Sequence, residues 1–333
     1  VENAFNRVHP DRNLYRRTLL QFAGVALLNG CLNGCAPPSL PLRVGTIVFP
    51  GYELLFLARS LGWLKPELVR LIELQNSSDS VRALAAGKLE AAQLTMDEMI
   101  SARAGGVDLR AILVLDTSDG ADQVLARPGI SMSNLAGHKI AAEDNSVGAL
   151  MMASLLEASG LRVDQVVKVP ITQSRAVEIY QKGLAEVLVT AEPWASQIKA
   201  LGGHTIFDST AVPDRIVDVI AVRADALETH ANSLRHLVAM QFSALDYFRK
   251  HPDQASVYMA PRLQIAAGDV VASFGGLKLP DRTQNQEMIR KNGSLYRNLP
   301  LLQSILLNAK LLRKSVDVHA LLDDRFIRAG DAA

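Results

Sequence analysis

From Leu42 onward, short apolar runs alternate with stretches of helical spacing, and this alternation restricts the fold more than any other feature of the chain. Leu42 to Phe49 is strand-like and ends in Pro50-Gly51. Tyr52 to Leu61 then carries Leu54, Leu55, Leu57, Ala58 and Leu61 at helical spacing. Glu67–Leu74, Leu89–Leu94 and Leu109–Leu115 read as further strands, with helices at Asp79–Ala86 and Met96–Ala104 between them. Strands and helices alternating at this pace predict an α/β fold, a sheet covered on both faces. The polar break Asp116-Thr117-Ser118-Asp119-Gly120 separates this unit from a second one. The second has predicted strands at Gln123–Leu125, Lys139–Ala142, Val166–Val169, Val187–Val189 and Thr205–Phe207, and helices at Val147–Ser159, Arg175–Lys182 and Trp194–Leu201. Val217 to Val222 is a strand that returns the chain to the first unit. From about Ala224 the pattern is largely helical, with Leu234–Arg249 the longest element.

The first 35 residues read as an address rather than as part of the fold. Arg16-Arg17 precede the apolar stretch Leu19–Leu28, and Tyr15 to Leu20 resembles a twin-arginine signal, although an ordinary secretory signal also places Arg before its apolar core. Leu28-Asn29-Gly30-Cys31 is repeated at once as Leu32-Asn33-Gly34-Cys35, and each resembles a lipobox in which Cys31 or Cys35 is lipidated. The plainer alternative is a Cys31–Cys35 disulfide or metal pair, a poor metal site because no His or acid flanks it. Residues 36–41, with Pro37, Pro38 and Pro41, make a stiff tether. The domain boundaries expected are 1–35 signal, 36–41 tether, 42–116 with 220–333 as lobe 1, and 121–218 as lobe 2.

Charge and composition exclude some classes of function. Net charge is +1 over 333 residues, and without residues 1–30, which hold four arginines and two acids, it becomes −1. A nucleic-acid surface would need a clustered basic excess. No apolar run after residue 40 approaches the roughly 18–20 residues of a membrane span. Catalytic signatures such as G-x-S-x-G, H-E-x-x-H, a phosphate loop and G-x-G-x-x-G do not occur, and His230 and His236 sit on different helix faces, so neither an enzyme nor a cofactor is expected.

Several short words occur in a specific order. They are Pro50-Gly51-Tyr52-Glu53, Leu94-Thr95-Met96-Asp97-Glu98, Asp116 to Asp122, Glu192-Pro193, Ile216-Val217-Asp218-Val219, Ala244–Ala255 and Leu322-Asp323-Asp324-Arg325-Phe326. Together they resemble the nitrate/sulfonate/taurine-type solute-binding proteins of ABC transporters, over essentially everything from Leu42. The resemblance implies the two-lobed type II periplasmic-binding-protein fold, each lobe a mostly parallel sheet flanked by helices, the lobes joined by two hinge crossings. It also implies a small-molecule solute between the lobes, an ABC permease and its ATPase as partners, a monomer, and a periplasmic or cell-surface place with the lipid anchor as the contact with the membrane. Two alternatives stay open: a sensing protein that docks on a membrane receptor, and an enzyme like a pyrimidine-forming synthase of the same fold.

Ligands of open α/β sheets sit beyond the carboxyl ends of strands, which singles out a set of candidates. Gly51 lets the backbone approach a ligand and Tyr52 offers a ring and a hydroxyl, or the pair is a simple strand-to-helix turn. Thr95 bonds the ligand, with Asp97 or Glu98 placing charge beside it, or it is an N-cap worth ~0.5–2 kcal/mol. Asn145, Ser146, Val147 and Gly148 open a helix whose free N–H groups suit an acceptor group. Glu192 and Trp194 suit a cation through charge pairing and ring contact, or Glu192 merely complements a helix dipole. Asp119 is a hinge cap or a ligand contact. Asp218 interrupts an apolar strand, and its buried carboxylate needs a partner, either the ligand or a neighbouring Arg. With acids at these strand ends and no Arg or Lys in the same words, the expected solute is a small neutral or amine-bearing organic molecule, sulfonate- or pyrimidine-precursor-like, rather than a bare oxyanion.

Overall fold

A computed structural model describes residues 40–144 and 147–328. The expectations for Cys31, Cys35, Asn145, Ser146 and the signal segment lie outside the described residues. The strands are β1 (Leu42–Thr46), β2 (Val69–Glu73), β3 (Ala91–Thr95), β4 (Leu109–Ser118), β5 (Gln123–Ala126), β6 (Lys139–Ala142), β7 (Val167–Pro170), β8 (Val187–Thr190), β9 (His204–Asp208), β10 (Val217–Arg223) and β11 (Leu277–Lys278). The helices that matter for the site are α1 (Glu53–Ser60), α2 (Ser77–Ala85), α3 (Met96–Ala104), α4 (Val147–Ala158), α5 (Ala176–Gln181) and α6 (Trp194–Ala200).

Two sheets result, one per lobe. The first has the order β11-β4-β10-β3-β1-β2 and the second β7-β6-β8-β5-β9. β1 pairs in parallel with β2 and β3, whereas β10 is antiparallel to both its neighbours. In the second sheet β6 is parallel to β7 and β8, and β5 runs against β8 and β9. The reversed strands β5 and β10 are those that receive the chain from the other lobe. Four strands of each sheet share one direction; β5 and β10 are reversed by the crossings, and the short edge strand β11 also runs against β4. A crossover helix returns a chain to the same edge for a parallel strand, but a chain arriving from the opposite lobe enters pointing the other way.

The crossings are short and tied together. β4 runs to Ser118 and β10 begins at Val217, so both strands of the first sheet reach further toward the crossings than the limits of 116 and 220 suggested by the sequence. Ser118 Oγ and Ser209 Oγ share a hydrogen bond of 2.7 Å, and Gly120 N–H donates to Ser209 Oγ at 2.6 Å. Ser209 N–H donates to the Asp122 carbonyl at 2.9 Å, and Asp119 N–H to the Gly276 carbonyl at 2.7 Å. A hinge held by hydrogen bonds between two strands can bend without exposing apolar core.

The carboxy-terminal third packs back on the first lobe. It includes α7 (Ala226–Thr229), α8 (Ala231–Lys250), α9 (Pro252–Leu263), α10 (Val270–Ser273), α11 (Arg282–Ile289) and α12 (Ser294–Asn308). α8 buries Leu234, Leu237, Val238, Leu245 and Phe248, a stripe at helical spacing, and it packs on α1. No helix among the described residues is long and apolar enough to cross a membrane.

Candidate functional site

A cavity of about 60 Å³ lies between the lobes at the crossings. The first lobe contributes Ile47, Val48, Phe49, Tyr52, Ser77, Thr95, Glu98, Ile216 and Asp218; Asp122 comes from the first crossing; Glu143, Val147, Gln173, Ala191 and Trp194 come from the second lobe. Strand ends on each side supply these positions, and the wall is closed by the turn after β1. Phe49 and Tyr52 meet edge to face with ring centroids 5.2 Å apart. Among the described residues lining the cavity there is no Lys, Arg or His.

The floor is a set of buried acids. β10 sits between β3 and β4 so that Asp218 faces Thr95 on one side and Asp116 on the other. The Tyr52 hydroxyl donates to Asp218 Oδ1 at 2.5 Å. Both oxygens of Asp116 are buried and receive no hydrogen bond from a protein N–H or O–H, and Asp116 stands opposite Asp218 in the β4–β10 register. Burial, and then the neighbouring Asp116, push the Asp218 carboxyl well above the ordinary range. Burial lifts Asp116 to about 7 and Asp122 to about 6. Glu98 is pushed well up by burial and by Asp97 beside it, and burial followed by Asp218 raises the Tyr52 phenol.

Helix α3 explains why Thr95 and Glu98 stand together. Thr95 N–H donates to Glu98 Oε2 at 3.0 Å, one half of a capping box. Thr95 Oγ1 is close to Asp97 but makes no hydrogen bond of good geometry, and it is buried at the cavity wall. Asp97 itself lines a neighbouring groove of about 540 Å³, which meets the cavity at Ser77 and Glu98 and is also lined by Arg82, Lys310 and Arg313. In the second lobe, Gln173 N–H donates to Glu143 Oε1 at 3.3 Å and Thr190 Oγ1 to Gln173 Oε1 at 3.0 Å, which fixes the wall opposite Asp218.

The candidates read from the sequence separate into three groups. Tyr52, Thr95, Val147, Trp194 and Asp218 line the cavity. Gly51 lies behind it, because a Cβ there would stand 2.0 Å from Asp116 Oδ2; its role is to let Asp116 approach. Gly148 packs on the Glu143 backbone, 2.8 Å from where a Cβ would be, and so fits α4 against the end of β6. The remaining acids point elsewhere. Glu53 is ion-paired to Arg262 and does not line the cavity, since its helix turns that face toward α9. Asp119 pairs with Lys278 at 2.8 Å on the hinge surface. Glu192 accepts hydrogen bonds from Ser196 N–H at 3.2 Å and Ser196 Oγ at 2.9 Å, the plainer capping role. Glu98, which the sequence offered beside Asp97 as a charge next to Thr95, lines the cavity. Asp122, Asp116, Glu143 and Gln173 were not among the residues singled out as binding the solute, although Asp122 closes the word Asp116 to Asp122. Glu143 and Gln173 carry no local signal, because sheet order alone brings them together.

Two sheets flanked by helices, with a cleft at paired crossings, define the periplasmic-binding-protein fold. The chain belongs to the NMT1-like family, whose model matches residues 35–260. Among solved structures it is similar to the alkanesulfonate-binding protein SsuA of Xanthomonas axonopodis pv. citri bound to MOPS, at 15% identity and a TM-score of 0.72, covering 87% of this chain and 100% of that one. The periplasmic nitrate-binding protein NrtA of Synechocystis PCC 6803 matches at 12% identity and a TM-score of 0.65, with 86% of each chain covered. The desulfurization enzyme DSZB matches at 18% identity and a TM-score of 0.60, covering 86% and 97%. No curated protein sequence matches the chain.

Proposed function

We propose that this protein is the extracytoplasmic solute-binding component of an ABC importer and that its solute is a small organic cation, an amine in the simplest case. The observation that carries the reading is the cavity wall: Glu98, Asp122, Glu143 and Asp218 with Tyr52 and Trp194, and no basic side chain among its described residues. A cation supplies a counter-charge to Asp122 and Asp218, and Trp194 offers a ring face to it. A nitrate- or sulfonate-like anion would meet carboxylates and no cation at this wall.

Capture works by closure. The cavity is far below the roughly 300–1,000 Å³ of ligand pockets in general, so the solute enters with the lobes apart and the second lobe adds Glu143, Gln173 and Trp194 as they close. Contacts made only in the closed state shift the equilibrium toward it. A permease would then recognise the closed pair of lobes. In the same reading residues 1–35 direct export and Cys31 or Cys35 carries the lipid. Palmitate labelling that persists when both are replaced would remove that anchor.

The test is calorimetry of an amine panel (methylamine, choline, putrescine) against a sulfonate and nitrate. An amine should bind, and Asp122→Asn should weaken it by roughly tenfold or more, the range for losing one buried charge pair. Tight nitrate or sulfonate binding with no amine binding would overturn the reading.

A further inference from the structure

Asp116 is a buried acid beside the cavity that the solute-binding reading does not use. It is fully buried and absent from the cavity wall, yet it is the register partner of Asp218, which is in that wall. Gly51 allows this packing, since any side chain there would collide with Asp116 Oδ2. Tyr52 already donates to Asp218 Oδ1, so the other Asp218 oxygen is left to share a proton with Asp116. Two carboxylates in contact in a dry site do not both ionise. The groups packed around the pair are Tyr52 before α1, Thr95, Asp97 and Glu98 at the start of α3, Thr117 on β4 and Asp122 beyond it. Lys278 stands on the next strand opposite Thr117, but Asp119 holds it. No ion pair joins a cation to Asp116 or Asp218 among the described residues.

We propose that Asp116 is a positioning residue acting through Asp218: it keeps one proton on the pair while no cation is bound, and a cationic solute arriving at Asp218 displaces that proton to solvent. The exchange balances as one cation in and one proton out, so the pair carries one negative charge before capture and two beside the bound cation afterward. This proposal rests on the amine reading of the cleft. It adds that affinity rises with pH, by up to about tenfold per unit below the titration of the pair.

The experiment has a ligand-free arm and a ligand arm. Carboxyl-carbon NMR titration of the unliganded protein should show the pair titrating in two separated steps, with one proton retained at neutral pH. Asp116→Asn should reduce this to a single Asp218 step. An Asp218 ionised at neutral pH beside an ionised Asp116 would overturn the proposal whatever the solute. In the ligand arm, calorimetry of the amine that binds best among methylamine, choline and putrescine is repeated in buffers of different ionisation enthalpy. The parent should release close to one proton, and Asp116→Asn less than half of one, with a flatter pH profile of affinity. A purely structural Asp116 would instead weaken binding by the same factor at every pH and leave proton release unchanged. Amine binding without proton release overturns the exchange alone, whereas no amine binding overturns the reading beneath it as well.

Discussion

Glu53 and Asp218 are both buried carboxylates of the first lobe, and they differ in what faces them. Glu53 meets the Arg262 guanidinium, which also donates to Glu73 Oε2 at 3.1 Å and to the Ile47 carbonyl at 2.7 Å, and lies 3.6 Å over the Phe56 ring. That charge is neutralised inside the fold, and through Ile47 the arginine braces the cavity wall from behind. Asp218 meets a tyrosine, a second aspartate and open cavity. An arginine beside Asp218 would close off the charge that the proposed cation is to meet. The contrast shows that the neighbours of a buried acid, more than its burial, separate scaffold from site.

The largest expected effect breaks the scaffold side. Arg262→Met leaves Glu53 buried without a cation and should cost about 3–5 kcal/mol in urea denaturation; a loss under about 1 kcal/mol would erase the distinction drawn above. Gly51→Ala forces Asp116 aside and should cost about 1–3 kcal/mol, with the hinge pair disturbed in the same titration that tests it.

The acid cluster has its own signature in pH. The folded values of Asp116 and Asp122, about 7 and about 6, lie above the unfolded value of about 3.9. The folded state therefore holds extra protons, and the stability they confer is complete below about pH 4 and lost as pH rises through 6 to 7, at up to about 1.4 kcal/mol per pH unit for each proton. Melting temperature should fall between about pH 4 and 7, and Asp116→Asn should flatten the fall; a contribution from the cluster that rises over this range, seen as a parent-minus-variant difference, would contradict it. The smallest effect belongs to the exposed pair Arg82–Asp79, where Arg82→Ala should change stability by under about 0.5 kcal/mol.

Much of this was legible in the chain. Alternating apolar runs placed β1 to β10 and their helices, because each run must bury one face locally. Asp218 stood out because it broke an apolar strand. The fate of Glu53 was invisible, since Arg262 lies 209 positions away and no local spacing connects them. The same holds for Glu143 and Gln173, which reach the cavity because β6 lies beside β7 in the second sheet. Glu192 looked like a ligand acid and turned out to bond its own helix. A carboxylate at a helix start satisfies nearby N–H groups before anything distant.

The position of β10 also bears on how the molecule is made. The strand between β3 and β4 comes from residues that follow the whole second lobe, so a ribosome delivers β1 to β4 well before the strand that joins β3 to β4. Until Val217–Arg223 emerges, the apolar edges of β3 and β4 face each other across a gap, at the high sequence separation that slows folding and invites edge-to-edge aggregation. The second lobe, contiguous from β5 to β9, has no such wait. Synthesis thus favours its completion first, with the acid pair assembled afterward, in one step with the insertion of β10 into the first sheet.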